Sequence, residues 1–180
     1  MPRPVNILSR LFGSKADDRA PVRELWRRVV ELARAREWYA DCGIADTMPG
    51  RFDALALVLA LVLLRMEREE TLIPSSVLLS ELFIEDMDGQ MRQSGVGDLV
   101  VGKRMGKLMG ALGGRMAALR EALALEAGPQ QEAALVEVAR RNATLLPEVD
   151  PAKVAARLSA LARSLDGLSG EDLLAGRIEP

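Results

Sequence analysis

Residues 85–123 are the part of this chain in which residue types and spacing come nearest to a known chemical motif. Within them, residues 97–103 follow the pattern GxxxxGK, with which phosphate-binding loops begin. Such loops continue with a Ser or Thr that holds magnesium, whereas Arg104 follows here. Asp98 would also place negative charge where a phosphate should bind. The pattern therefore favours a tight turn before a helix over a nucleotide site.

A short acidic cluster precedes that stretch, with carboxylates at Glu85, Asp86 and Asp88. Hard cations prefer several carboxylate ligands, but the spacing differs from the D-x-[DN]-x-[DN]-G pattern of a calcium loop. The alternative is a polar helix end, in which Asp88 pairs with Arg92 four residues later. We therefore expect no metal ion and no cofactor at this cluster.

Histidine is absent from the sequence, and Cys42 is its one cysteine. Without histidine, the chain lacks Ser-His-Asp and Cys-His nucleophile activation and the most common general base. A single cysteine cannot form an internal disulfide, and we expect Cys42 to be a small core residue. These absences indicate a protein that binds another molecule and is not an enzyme.

The composition favours helices. Apolar residues make up 49% of the chain and aromatic residues only 3%, so Leu, Ala, Val and Met supply most of the apolar surface. The net charge of −2 provides no general attraction to nucleic acid. Binding to RNA or to an anionic surface would therefore need a local basic patch.

Apolar residues recur at helical spacing along most of the chain, and strand-like alternation is nowhere convincing. We predict an all-α, single-domain bundle of about six helices. The predicted helices cover residues 22 to 39–41, 52–68, 75–91, 103–126, 131–142 and 151–165, with a glycine-punctuated bend at 94–102, and Ser169 caps a last turn over 171–174. Ser75 and Ser76 are the predicted N-caps of the third helix, and Asp150 caps the sixth.

The second predicted helix is apolar on all sides and should lie at the centre of the core. Its apolar run, residues 54–64, is shorter than the roughly 20 residues that cross a bilayer. We predict a flexible or amphipathic tail at 1–20, a core at 21–146 and a C-terminal helical extension at 147–180. The sequence contains no recognisable secretory signal, so an intracellular location is expected.

Three surface features each allow two interpretations. The tail residues Ile7, Leu8, Leu11 and Phe12 form either a membrane-surface helix or a frayed terminus. The arginines of the first helix form either a solvated face or a site for ribosomal RNA or anionic lipid. These arginines are Arg23, Arg27, Arg28, Arg34 and Arg36.

The third feature is a row of glycines at four-residue spacing, Gly102, Gly106, Gly110 and Gly114. Glycine inside a helix costs about 1 kcal/mol relative to alanine, so such a row needs a compensating contact. That contact is either close packing within this domain or a groove that admits a helix of a partner.

Three segments carry a resemblance to a known family. The first comprises Trp38, Tyr39 and GIADTMPGRFD at residues 43–53, and the second is ELFIEDMDGQMRQSGVGDLVVGKRM at residues 81–105. Gly114 with Arg115 forms the third. Over roughly residues 21–142, the chain resembles the ubiquinol–cytochrome c chaperone family, whose members include the mitochondrial chaperone that binds newly made cytochrome b.

The resemblance implies an all-helical, non-enzymatic chaperone that holds cytochrome b, a hydrophobic membrane client, during assembly of respiratory complex III. It implies a cytoplasmic location at the inner face of the respiratory membrane, with the ribosome or that membrane surface as further partners. No specific nucleic acid and no transmembrane segment are expected. The alternative function is a peripheral module that binds RNA or a lipid surface through its basic helix face.

The partner-binding residues implied by the resemblance fall into three groups. Asp46, Thr47 and Arg51 form either a structural clasp in the first segment or part of the client surface. Gly95 and Gly97 shape the bend of the second segment. The polar rim of that segment comprises Asp86, Asp88, Arg92, Asp98, Lys103 and Arg104, and Met87 and Lys107 are further predicted partner contacts.

Methionine side chains adapt to varied apolar partners, and they also fill irregular cores. Met87, Met91, Met105, Met109 and Met116 are therefore either exposed client contacts or ordinary core residues.

Overall fold

A computed structural model describes the backbone of residues 19–93 and 98–179 and the side chains of residues 19–90 and 106–179. The helices are α1 Arg23–Ala33, α2 Arg36–Ala40, α3 Met48–Met66, α4 Ile73–Gln93, α5 Asp98–Leu123, α6 Pro129–Asn142, α7 Ala152–Asp166 and α8 Gly170–Leu174. Over these residues no strand forms, and one antiparallel β-bridge joins Ile44 to Leu145. The predicted all-α bundle is confirmed.

The central helix is α3, as its uniformly apolar sequence predicts. Every residue from Ala54 to Leu64 is buried, and α3 packs against α1, α5 and α7. The helices α6 and α7 pack against each other, and α4 packs against α1 and α5. Within the described ranges, no helix combines the length and hydrophobicity needed to cross a bilayer.

The C-terminal helices pack onto the same core. Arg65 of α3 donates hydrogen bonds to the carbonyls of Leu165 and Leu168, at 3.2 and 2.7 Å. Arg28 of α1 donates from Nε to the carbonyl of Ile178 at 2.9 Å, and the Ile178 side chain is buried. The division of the chain into a core and a C-terminal extension stays a prediction.

The predicted first helix is two helices. The backbone leaves helical geometry at Ala35, so that α1 ends at Ala33 and α2 begins at Arg36. This break buries Trp38, whose indole N–H donates to the carbonyl of Leu32 at 2.9 Å. Burial of one large aromatic side chain therefore outweighs the helical periodicity that runs through the break.

Two other predicted boundaries are wrong. Because α4 begins at Ile73, Ser75 and Ser76 lie inside its first turn, and Ser76 Oγ donates to the Ile73 carbonyl instead of capping the helix. The backbone is helical from Asp98, whereas the sequence predicts a bend that extends to residue 102.

Two predicted caps are confirmed. The hydroxyl of Ser169 accepts from the Asp172 N–H at 3.1 Å, and the carboxylate of Asp150 accepts from the Ala152 N–H at 2.9 Å. These contacts satisfy backbone donors that a helix N-terminus would otherwise leave unpaired.

Candidate functional site

The loop before α3 is held by two close approaches that require glycine. Gly43 has φ +73°, and a Cβ there would lie 2.6 Å from the side chain of Val149. A Cβ on Gly50 would lie 2.0 Å from the carbonyl oxygen of Ala45, well inside contact distance. The loop therefore folds back onto the first turn of α3, where Thr47 caps the helix by accepting from the Gly50 N–H at 3.3 Å.

A second loop, between α6 and α7, fastens the first one. The Ala45 N–H donates to the Thr144 carbonyl at 2.8 Å, and the Leu146 N–H donates to the Gly43 carbonyl at 2.9 Å. Ile44, between these two bonds, is fully buried. The loop is thus fixed on one side by α3 and on the other by residues 144–146.

Beneath these loops lies a buried ion pair between Asp53 of α3 and Arg115 of α5, each 8% exposed. The Asp53 carboxylate also accepts from the N–H and the hydroxyl of Thr144, at 2.9 and 2.7 Å. Arg115 donates to the carbonyl of Asn142 at 3.1 Å, and its guanidinium lies 5.5 Å from the ring centre of Phe52. One charge pair therefore joins α3, α5 and the α6–α7 loop.

The partnership of Asp53 with Arg115 was missed from the sequence, although both residues lie in the segments that carry the family resemblance. One feature of the sequence could have indicated a buried charge: Asp53 directly precedes the apolar run 54–64. Because a charge buried without a partner is very costly, each such charge implies an opposite one nearby. The sequence does not say which of the other charged residues supplies it.

An open groove of about 1310 Å³ lies beside this pair, between α1, α2 and the start of α3 on one wall and α4 and α5 on the other. Ten of its sixteen lining residues are apolar or aromatic. The described lining consists of Val30, Ala33, Arg34, Arg36, Tyr39, Ala40, Asp46, Met48, Pro49, Arg51, Phe52, Leu55, Asp86, Met87, Gln90 and Leu108. Pockets for small ligands usually measure about 300–1,000 Å³, so this groove suits a larger occupant.

The groove brings together two sequence segments that are distant along the chain. Asp46 and Arg51 line it from the first segment, and Asp86 and Met87 line it from the second. The Arg51 Nε donates to Asp46 Oδ1 at 2.6 Å, so this pair is a clasp and part of the groove at once. Thr47 acts as the helix cap beside them.

Other predicted contact residues lie elsewhere. Asp88 is half-buried and Lys107 is exposed, and neither is among the described lining. The side chains of Arg92, Asp98, Lys103 and Arg104 lie outside the described residues, as do Gly95 and Gly97 entirely. The role of all these residues in binding a client stays a prediction.

Two groups at the groove have perturbed acidities. The hydrogen bond from Arg51 holds the pKa of the Asp46 carboxyl below its usual range. Burial raises the pKa of the Tyr39 phenol, and the negative charge of Asp46 raises it further. The Tyr39 hydroxyl donates to the Ala33 carbonyl at 2.8 Å, which fixes its ring against the end of α1.

The arginines of the predicted basic face have different surroundings. Arg27 forms ion pairs with Glu24 and Glu31, and Arg28 donates a hydrogen bond to the backbone carbonyl of Ile178. By contrast Arg34 and Arg36 are exposed at the groove. The hypothesis of an RNA- or lipid-binding face stays untested, but Arg27 is already neutralised by its neighbours.

The methionines also differ from one another in their exposure. Met87 is 7% exposed, so the interpretation of it as an exposed contact is wrong, although its side chain forms part of the groove lining. Met109 and Met116 are half-buried against the core, while the side chains of Met91 and Met105 lie outside the described residues. Met48, which is 65% exposed at the groove, was not among the contact residues predicted from the sequence.

The three described glycines of the row, Gly106, Gly110 and Gly114, do not pack closely inside the domain. A Cβ added at Gly106, Gly110 or Gly114 would meet nothing within 4 Å outside its own helix turn. The surroundings of Gly102 lie outside the described part of the structure. Close internal packing is therefore excluded at the three described glycines, and a contact with a partner helix stays a prediction.

The segments with possible phosphate or metal chemistry have ordinary structural roles where they are described. Residues 98–103 belong to α5, so they form no phosphate-binding loop. Glu85 pairs with Arg19, and the described part of the chain contains no group of three or more potential metal ligands. Cys42 is buried as expected, and burial raises the pKa of its thiol.

Fold and groove together define the class: an all-helical protein with a preformed, mainly apolar groove large enough for a polypeptide segment. The family model described as ubiquinol-cytochrome C chaperone matches residues 40–179. This chain therefore belongs to the ubiquinol-cytochrome C chaperone family. The match begins directly after Tyr39 and continues past residue 142, so it includes the C-terminal helices that the resemblance had left out.

A solved structure agrees with this assignment. The crystal structure of the Cbp3 homologue from Brucella abortus is 30% identical in sequence and superposes with a TM-score of 0.76. The similarity covers 96% of this chain and 95% of the Brucella chain. Among curated proteins, no sequence matches this chain.

Proposed function

We propose that this protein is an assembly chaperone that binds newly made cytochrome b during the biogenesis of ubiquinol–cytochrome c reductase. Membership of the ubiquinol-cytochrome C chaperone family supports a role in assembly of that complex. The observation that carries the finer proposal is the groove, which the first and second resembling segments line with apolar and polar residues.

The size of the groove agrees with a polypeptide client. A helix about 10–12 Å across that rises about 1.5 Å per residue occupies about 120–170 Å³ per residue. A groove of about 1310 Å³ therefore has room for roughly eight to eleven residues, or two to three turns. Part of one membrane helix, covered before insertion, fits this space.

The lining suits an apolar helix. Met48 is flexible and 65% exposed, and Phe52 and Leu55 form a firmer floor beside it. Flexible thioethers over a fixed apolar floor adapt to helices of differing side-chain shape. We place the protein in the cytoplasm, at the inner face of the respiratory membrane, where such a client emerges.

Site-specific photo-crosslinking in cells tests the proposal. Probes at Gln90 and Met48 lie in the groove, a probe at Lys107 lies on α5 beyond the described lining, and a probe at Glu171 on α8 serves as the control. We expect cytochrome b to be trapped from Gln90 and Met48, more weakly from Lys107, and not from Glu171. Equal capture from all four positions, or capture of ribosomal components alone, would refute binding of cytochrome b in the groove.

A further inference from the structure

The charges of the groove are unevenly matched. Arg51 is paired with Asp46, but neither Arg34 nor Arg36 has an acidic partner among the described side chains. Both arginines are exposed, and both line the groove where α1 ends and α2 begins. Within residues 19–90 and 106–179, these two cations therefore lack a counter-charge beside an apolar surface.

The opposite wall carries a smaller charge of the other sign. Asp86 of α4 accepts a hydrogen bond from Gln90 at 3.2 Å and has no cationic partner among the described residues. The first wall, with Arg34, Arg36 and the neutralised Asp46–Arg51 pair, is therefore net positive. A purely apolar helix would leave this positive charge uncompensated.

We propose that the groove binds an apolar helical segment that carries carboxylates at one end, and that Arg34 and Arg36 bind those carboxylates. This inference rests on the proposed function, because it defines the chemistry of the client segment in the same groove. The planar guanidinium group pairs with carboxylates in a two-point geometry, so two arginines that line the same groove are suited to a short acidic end.

This charge arrangement also determines the direction in which the segment lies. The acidic end lies at the junction of α1 and α2, and the apolar body extends over Met48, Phe52 and Leu55. An apolar segment of the same length without the acidic end would bind in either direction. Electrostatic complementarity of this kind supplies register and specificity more than raw affinity.

Peptide binding by the full chain tests the inference. The probe is a fluorescently labelled helical peptide of Leu, Ala and Met residues with two glutamates at one end, made in both polarities. Matched peptides carry two glutamines or two lysines there. We expect the glutamate peptide to bind more tightly than the glutamine peptide, by between about two-fold and thirty-fold, the range for two exposed ion pairs.

Charge reversal provides the stricter test. In Arg34→Glu/Arg36→Glu the preference should invert, so that the lysine peptide binds more tightly than the glutamate peptide. The matched control Arg140→Glu/Arg163→Glu changes the net charge equally at exposed positions outside the described groove lining and should retain the original preference. The wild-type preference should also weaken with added salt, because exposed charges are screened.

Several outcomes would overturn the inference. Equal affinity for the three peptides, or the same loss of preference for the glutamate peptide in the control variant, would show that Arg34 and Arg36 do not recognise an acidic end. Binding to vesicles with anionic lipid that depends on these arginines, without peptide binding, would assign them to a membrane surface instead. Capture of cytochrome b at Gln90 with no effect of charge reversal would leave the proposed function intact and refute only this inference.

Discussion

Replacement of Asp53 by alanine should destabilise the protein more than any single change at its surface. The substitution removes the partner of Arg115 and both hydrogen bonds that Thr144 donates. It leaves a guanidinium that is 8% exposed and whose Nε already has no partner among the described atoms. Removal of one member of a buried ion pair typically costs about 3–5 kcal/mol, and we expect a loss in that range.

A loss of that size is a large part of a typical stability of about 5–15 kcal/mol. For a chain of this length, it corresponds to a fall in Tm of about 6–20 °C. Urea unfolding followed by far-UV circular dichroism measures the free energy of unfolding, and a thermal scan gives the change in Tm. The exposed residue Asp46, whose partner is Arg51, supplies a control substitution to alanine with a much smaller effect.

The double variant Asp53→Ala/Arg115→Met separates the ion pair from the other contacts. Because it removes both buried charges, it should be more stable than Asp53→Ala alone, although the Thr144 N–H still lacks its acceptor. The double variant should also bind the groove peptides less tightly than wild type, since Arg115 stacks against Phe52 in the groove lining. A loss below about 1 kcal/mol in Asp53→Ala, or no recovery in the double variant, would refute this account of the pair.

Two glycine substitutions should have opposite effects on Tm. In Gly50→Ala the new Cβ meets the Ala45 carbonyl, and we expect the free energy of unfolding to fall by roughly 3 kcal/mol. In Gly110→Ala the new Cβ meets open space on a helix, and we expect the free energy of unfolding to rise by up to about 1 kcal/mol. Equal changes in the two variants would contradict the packing described at Gly50. The hydrogen bond from Arg51 lowers the pKa of the Asp46 carboxyl in the folded protein. The pair therefore stabilises the fold above the pKa of an ordinary Asp, about 3.9. This stabilisation is lost as the pH falls through the lower pKa of Asp46 in the folded state. Carboxyl NMR shifts of Asp46 should therefore titrate at higher pH in Arg51→Gln, and an unchanged midpoint would count against the pairing.

Much of the helical architecture follows from local sequence. The apolar run 54–64 predicts a helix that is buried on all sides, and the structure confirms it as the centre of the bundle. The caps at Asp150 and Ser169 are equally local, because each side chain binds a backbone N–H two or three residues away. Periodicity and capping depend only on neighbours along the chain, so they can be predicted from sequence.

The candidate site could be predicted only in part. The two resembling segments direct attention to Asp46, Arg51, Asp86 and Met87, and all four line the groove. Whether they contact a client stays a prediction. The sequence did not reveal the exposure of Met48, or that Arg34 and Arg36 have no acidic partner among the described side chains, because exposure and pairing depend on which helices are neighbours in space.

The sequence by itself therefore determined the helices, the central position of α3 and the absence of histidine chemistry. The tertiary structure alone decided that the first predicted helix breaks at Ala35, with Trp38 buried beyond the break, and that Asp53 meets Arg115, 62 residues further along the chain. It also decided that Arg34 and Arg36 stand at an apolar groove instead of on a uniform basic face. The physical reason is that burial and charge pairing join residues that are distant in sequence, and their partners are chosen only when the helices pack.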